Sequence, residues 1–445
     1  MAAFAQVIKV ISDFLWNNIL LFLLCGTGIY FTVRLRLIQV RKFGEGMRGL
    51  FRNFSLRGKR ADHEGMSSFQ ALTTAIAAQV GTGNIAGCAT ALASGGPGAI
   101  FWMWVSAFFG MATMYGEAVL AQKTRAVVNG KVTGGPVYYI RTAFRGRFGK
   151  ALAGFFSIAI ILALGFMGNM VQSNSIGDAF ETAFGIPKLA VGAVVALIAA
   201  FIFVGGVRRV ASFTEKIVPV MAAFYIIGCV VVLCINHAAV PEALRQIFVL
   251  AFRPQAIAGG VAGVTVREAM RYGVARGLFS NEAGMGSTPH AHALAKVKNP
   301  QEQGVAAMMG VFIDTFVVLT LTALVILSSG VLGTGESGTA LAQHAFALAF
   351  GRFGNAFIAI CLLFFAFSTI ISWYFFGEMN VRTLFGERAV RIYGAIAVGF
   401  VLAGSVLKVD LVWNLSDLCN GLMVIPNLLA ILALSGMVVK ISREK

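Results

Sequence analysis

The stretch Gln79-Val80-Gly81-Thr82-Gly83-Asn84-Ile85-Ala86-Gly87 decides how this chain is to be read. It lies in an otherwise apolar segment, roughly Ser67 to Ala93, long enough to cross a bilayer. Lipid offers no partner for a bare N–H or C=O, so a crossing helix must satisfy its backbone internally. Glycines at 81, 83 and 87, with Thr82 and Asn84 between them, make this helix prone to open at mid-depth. Such an opening is tolerated only where it faces a protein-lined or watery cavity. The half-helices then offer a positive N-terminus and a row of carbonyls, suited to an anion and a cation. Glycine-rich spans also arise from close helix packing without any ligand, so one such stretch needs a counterpart.

The rest of the chain supplies the setting. Of 445 residues, 58% are hydrophobic and 12% charged, and apolar runs of about 20 residues recur, the length that spans hydrocarbon. That composition is an all-α polytopic membrane protein. The net charge of +17 would suggest nucleic acid in a soluble chain. Here Lys and Arg flank the apolar runs and orient them, so no nucleic-acid partner is expected. Cys25, Cys88, Cys229, Cys234, Cys361 and Cys419 lack CxxC spacing and read as small apolar residues. The N-terminus has no charged n-region or cleavage site, and the first apolar run is expected to be retained.

In order, the first span runs from about Phe14 to Val33. A basic stretch from Arg34 through Arg48 and Arg57 to Lys59 and Arg60, opposed by Glu45 alone, places its loop in the cytoplasm and the N-terminus outside. Span two is the broken segment, and span three runs from about Ala99 to Gln122. Spans four (Ala151 to Ile176), five (Lys188 to Val207) and six (Ile217 to Asn236) follow. Residues Ala256 to His290 are weakly apolar and carry Arg267, Glu268, Arg271, Arg276 and Glu282. Parity decides whether they cross. Four further spans follow, near Gln303–Ser329, Phe353–Phe376, Val390–Val406 and Leu411–Val439. Only if the weak segment crosses do Arg382, Arg388, Arg391 and the Lys440, Arg443, Lys445 tail all lie inside.

Eleven spans are therefore expected, with the C-terminus in the cytoplasm. Spans two to six and seven to eleven form two groups of five, and an odd number inverts the second group. Each group opens on a Gly-and-polar-interrupted span, the second carrying Phe279-Ser280-Asn281-Glu282-Ala283-Gly284-Met285-Gly286-Ser287. Matching interruptions in two halves point to a transporter's binding site. The expected division is residues 1–60 for the extra helix and basic loop, 61–255 for the first repeat and 256–445 for the second.

Gly95-Gly96-Pro97-Gly98-Ala99-Ile100-Phe101-Trp102-Met103-Trp104-Val105-Ser106-Ala107-Phe108-Phe109-Gly110 resembles the signature of the alanine or glycine:cation symporter family. Gly81 to Gly87 and Ser280 to Gly286 are similar to that family's text as well, and the resemblance covers essentially the whole chain. It implies a five-plus-five inverted repeat of the neurotransmitter-sodium-symporter-like fold, preceded by one extra helix. It further implies cotransport of alanine or glycine with sodium, or in some members protons, across a prokaryotic cytoplasmic (inner) membrane.

A small zwitterionic amino acid brings a carboxylate and an ammonium. The carboxylate wants N–H donors, expected from Gly81, Thr82, Gly83 and Asn84 and the half-helix beyond them. The ammonium wants oxygens, available near Ser280 and Asn281. Sodium wants several oxygens, some from carbonyls around Ala77 to Val80, among them Ala78 and Val80. The fold resemblance implies hydroxyls from span nine at the same ion, and Ser368 and Thr369 match; Trp373, on the face of Thr369, would wall the pocket. The alternative for such hydroxyls is a bond back to the preceding turn. Gln172 enters as a substrate contact by resemblance, and Phe166 as a restriction on side-chain size.

Ionisable residues at membrane depth are functional candidates by default. Glu282 would hold the unwound backbone or pair with Arg276, with ligand contact as the alternative. Glu117 is expected near the cytoplasmic interface, and Asp314 is left open; either is the relay if the coupling ion is a proton. His290 and His292 are read as loop residues without a metal partner. Gly81 to Gly87 lacks the GxGxxG spacing of a dinucleotide loop, and no P-loop lysine follows any glycine cluster. No nucleophile–base cluster indicates an enzyme, and no cofactor is expected beyond the coupling ion.

Overall fold

The computed structural model describes residues 2–52, 65–128, 130–253 and 265–444. Arg57, Lys59 and Arg60 of the basic loop, and the expected repeat boundaries near 60 and 255, lie outside the described residues. Among those described, eight helices are long and apolar enough to cross a bilayer: Gln6–Arg34, Gly98–Thr124, Gly146–Phe184, Gly206–Ile235, Pro300–Ser328, Arg352–Phe385, Glu387–Val406 and Leu411–Ala433. Lys188–Phe203 is apolar but shorter. Two further segments, 68–95 and 266–293, are interrupted and largely buried.

Several ends differ from expectation. Arg352–Phe385 continues past Phe376 because Glu378, Met379 and Asn380 are still buried by neighbouring helices; it stops at Gly386, where φ is +82°. The run expected as Leu411–Val439 ends at Ala433, and Ser435–Arg443 is a separate amphipathic helix. The connection after Ser328 holds a helix not foreseen, Gly338–Phe350, which buries Leu341, Ala342, Ala345 and Phe346 on one face. The second interrupted segment is helical over Val266–Asn281, and its expected start at Ala256 lies outside the described residues.

Both interrupted segments start with the same device. Ser67 caps Ser68–Gln79 while the Gln70 side chain accepts from the Ser67 N–H. Thr265 and Glu268 form the same reciprocal box on Val266–Asn281. Each satisfies orphan N–H groups at a helix start.

The two segments run antiparallel against one another. Met66–Ser67, which lead into the first, pair as a short parallel ladder with Ala295–Lys296, which lead out of the second. At the opposite ends, a Cβ placed on Gly95 would lie 3.0 Å from the Cβ of Tyr272. The start of one is therefore beside the end of the other, as expected for helices entering from opposite faces.

Candidate functional site

The first break opens because Val80 leaves helical geometry, at φ −80° and ψ 89°. Its freed backbone finds neutral partners. The Gly81 N–H donates to Asn84 Oδ1 at 3.0 Å, and the Thr82 N–H donates to Gln172 Oε1 at 3.0 Å. The chain resumes as a wide π-turn over Gly83–Gly87 before Cys88–Gly95. Gly81 allows the close approach of Thr369, whose Oγ1 would stand 2.4 Å from an added Cβ. Any side chain there would force the helices apart.

The second break is left-handed. Glu282, Gly284 and Gly286 have φ of +57°, +90° and +78°. Asn281 Oδ1 accepts from the Ala283 N–H at 3.0 Å. The Gly284 and Gly286 N–H groups donate to the two oxygens of Glu117 at 3.1 and 3.0 Å. The Glu282 carboxylate turns the other way and accepts from Ser287 Oγ and Trp373 Nε1.

These breaks meet. Gln79 Nε2 donates to the Asn281 carbonyl at 2.8 Å, and a Cβ on Gly83 would sit 3.0 Å from the Cα of Ser280. One carboxylate bridges both: Asp314 Oδ1 accepts from Asn84 Nδ2 at 2.7 Å and from Ser280 Oγ at 2.9 Å. Asp314 Oδ2 accepts from Thr315 Oγ1, which accepts in turn from Asn281 Nδ2 at 3.1 Å. Asp314 and Thr315 lie on another π-turn, Phe312–Leu319. Such turns are rare and frequent at functional sites.

Arg352–Phe385 closes the far side. Thr369 Oγ1 donates to the Ala77 carbonyl at 2.8 Å, with Ser368 Oγ at 3.5 Å from the same oxygen. Both hydroxyls also reach the Phe365 carbonyl one turn back. Trp373 lies against Gly168, where an added Cβ would be 2.4 Å from its ring, and edge-on to Phe279 at 5.6 Å. Thr82 Oγ1 and Ser372 Oγ are buried without a partner among the described residues.

Of the residues singled out in the sequence, Gly81, Thr82, Gly83, Asn84, Gln172, Ser280, Asn281, Ser368, Thr369 and Trp373 are gathered around the two breaks. Phe166 stands apart, its ring stacked on Phe400 at 4.6 Å and near Tyr393 at 5.6 Å. Two expectations are corrected, and the surroundings of Glu117 are added. Arg276 does not pair with Glu282; it makes a two-pronged pair with Asp417 at 2.9 and 2.7 Å and lies over Trp413. Glu117, expected near the cytoplasmic interface, is fully buried within the protein beneath the second break. His290 and His292 are not loop residues: both are buried in the short helix Pro289–Ala293, hydrogen-bonded to Asn380 and Gln303.

The glycine-rich signature gains a physical reading here. Ala99, Trp102, Met103, Ser106 and Gly110 form a stripe on Gly98–Thr124 that tracks the second segment. An added Cβ would meet Ala99 O at 2.5 Å from Gly273, Ser106 Oγ at 3.3 Å from Gly277, and the Ala283 Cβ at 2.8 Å from Gly110. Glu117, two turns past Gly110, continues that face. Asn427 was not singled out in the sequence. Its signal was a polar amide after Pro426 in an apolar span.

The comparisons with known proteins bear on the fold and the family. A solved structure, MhsT in complex with L-phenylalanine, superposes with a TM-score of 0.58 over 87% of this chain and 98% of that one, at 14% identity, which shows a shared fold. The sodium/alanine symporter AgcS of Methanococcus maripaludis is 41% identical over 98% of this chain and 96% of its own. The Bacillus subtilis protein named "Probable sodium/glutamine symporter GlnT" is 42% identical over 97% and 89%. The profile of the sodium:alanine symporter family matches residues 1–444, and with two interrupted, touching spans beneath its signature the chain belongs to that family of integral membrane transporters.

Proposed function

We propose that this protein couples sodium entry to uptake of a small neutral amino acid, alanine or glycine, by alternating access and without covalent chemistry. It would do so across a prokaryotic inner membrane in eleven crossings, N-terminus outside and C-terminus in the cytoplasm. The observation that carries the reading is the junction of the breaks, where the backbone of Gly83 packs on Ser280 and Gln79 bonds to Asn281. Unwound peptide groups from two helices converge there, and buried hydroxyls of Thr82 and Ser372 lack partners among the described residues. Buried polar groups are nearly always satisfied, and these two, with Gln79 Oε1 beside the junction, support a ligand there.

In this reading the substrate carboxylate takes N–H groups at Gly81 to Asn84, and its ammonium takes oxygens at Ser280 and Asn281. Gln172 and Trp373 bound the pocket. Phe166, packed on Phe400 and Tyr393, restricts side-chain size. Sodium, a transported substrate, takes the carbonyls of Ala77, Ala78 and Val80 with the Ser368 and Thr369 hydroxyls. One charge entering with a neutral zwitterion gains about 2.3 kcal/mol per 100 mV, roughly 50-fold accumulation before any sodium gradient.

Alanine uptake into proteoliposomes should collapse when choline replaces sodium at fixed pH. Gly83→Leu, which drives a side chain into Ser280, should abolish alanine binding in calorimetry while the folded yield stays near wild type; normal binding would sink the site. A proton-coupled carrier is the second reading, favoured by one observation: Asp314 bridges both breaks with neutral partners only. Uptake that follows an imposed pH gradient without sodium, and is lost in Asp314→Asn, would select it.

A further inference from the structure

Glu117 engages neutral partners alone. Besides the N–H groups of Gly284 and Gly286, its Oε1 accepts from Asn427 Nδ2 at 2.5 Å. The same Asn427 amide nitrogen donates to the Gly284 carbonyl at 2.8 Å, so Glu117 and Asn427 close a ring on both backbone groups of Gly284. Asn427 Oδ1 in turn accepts from the hydroxyl of Tyr139. Tyr139 is fully buried on Pro136–Ala143, a short helix that follows the Ala126–Val128 and Lys131–Thr133 hairpin. That helix also wedges the break directly, since a Cβ on Gly286 would lie 3.0 Å from the Pro136 ring and 2.8 Å from Asn427 Cγ.

Four elements thus share one hydrogen-bonded chain: Gly98–Thr124, Leu411–Ala433, Pro136–Ala143 and the second break. Both left-handed glycines depend on it, because a single carboxylate accepts from both N–H groups. We infer that Glu117, Asn427 and Tyr139 are positioning residues, a relay through which the Pro136–Ala143 helix holds the second break in its unwound shape and sets the rate at which substrate leaves it during the transport cycle. None of the three touches substrate. Their effect is on the shape of the Ser280–Asn281 end of the pocket and on the rate of leaving it.

The inference rests on the paired breaks being the transport site, and the experiment separates the two. Alanine binding by calorimetry in saturating sodium and uptake in proteoliposomes are measured for wild type, Glu117→Gln and Tyr139→Phe. Glu117→Gln replaces one acceptor by a donor facing N–H groups, so alanine Kd is expected to rise at least tenfold at unchanged folded yield. Tyr139→Phe removes only the relay's far hydroxyl: Kd and KM should stay within twofold while kcat falls fivefold or more. Unchanged kcat in Tyr139→Phe, or a parallel loss of binding and turnover, overturns the relay. If Glu117→Gln does not fold, Tyr139→Phe decides alone, because it leaves the carboxylate in place. Wild type that binds no alanine refutes the transport-site reading itself.

Discussion

At the first break the chain leaves helical geometry at Val80 and returns by Gly83 without one left-handed residue, and its freed N–H groups are met by the amides of Asn84 and Gln172. At the second, three positions in five are left-handed and a carboxylate holds two of them. The absence of positive φ and the neutral partners leave the first segment able to rewind at small cost. The second is committed to its shape, because left-handed backbone and a buried charge each disfavour a helix there. The asymmetry suggests a division of labour in which the second break is a fixed platform and the first is the part that adapts to cargo.

The sharpest way to break this contrast is one methyl group at each site. Gly286→Ala strains a left-handed residue, at about 1–2 kcal/mol, and drives a Cβ to 2.8 Å from Asn427. Alanine binding should weaken more than tenfold. Gly87→Ala meets nothing closer than 3.9 Å, and binding by calorimetry should stay within twofold. Equal losses at the two positions would erase the distinction.

Asp314 serves both breaks, so its removal should not discriminate between them. Asp314→Ala leaves Ser280 Oγ without its carboxylate acceptor and Asn84 Nδ2 with only the backbone carbonyl of residue 314 at 3.1 Å. A stranded donor costs roughly 1–3 kcal/mol where water is excluded. A fall in alanine affinity of about tenfold is expected, partly restored in Asp314→Asn, which keeps an acceptor; full wild-type affinity in the alanine variant would show that the bridge is incidental.

A smaller effect is expected where the first break meets Arg352–Phe385. Thr369→Val keeps the shape and deletes the hydroxyl that reaches the Ala77 carbonyl. One net hydrogen bond is worth about 1 kcal/mol, or roughly fivefold. That factor should appear in the half-saturating sodium concentration, with alanine KM at saturating sodium unchanged. A shift in alanine KM alone would place the hydroxyl on the amino acid instead.

How far the sequence reveals this site follows from where each contact lies along the chain. Both interruptions are legible because glycine and polar residues are conspicuous inside apolar text, and parity of the charged loops requires the second to cross. Gly338–Phe350 escapes because it sits in a loop too short for a span, though Leu341, Ala342 and Ala345 have helical spacing. The partners of Glu117, Asp314 and Arg276 are illegible for another reason. A buried carboxylate needs some partner, but which one is a matter of packing: Glu117 and Asn427 are separated by 310 residues. Arg276 and Glu282 lie close in sequence, yet the left-handed turn at Glu282 sends its side chain toward Trp373.

The caps are legible in the sequence, and they give the smallest test. Ser67 with Gln70 and Thr265 with Glu268 each read as a reciprocal box from spacing alone. Removing a cap hydroxyl costs about 1 kcal/mol. The two boxes differ in burial: Gln70 is buried and also donates to Glu215 at 3.0 Å, whereas the Thr265–Glu268 box is exposed. Ser67→Ala should therefore lower the melting temperature more than Thr265→Ala, each by no more than about 2–4 °C given the scaling for large chains. Neither should move alanine KM, since both caps lie at the far ends of the half-helices that form the breaks. If Thr265→Ala instead changed KM at constant stability, the outer end of the second segment would be mechanically linked to its break, and the picture of a fixed platform would have to give way to a segment that moves as one rod.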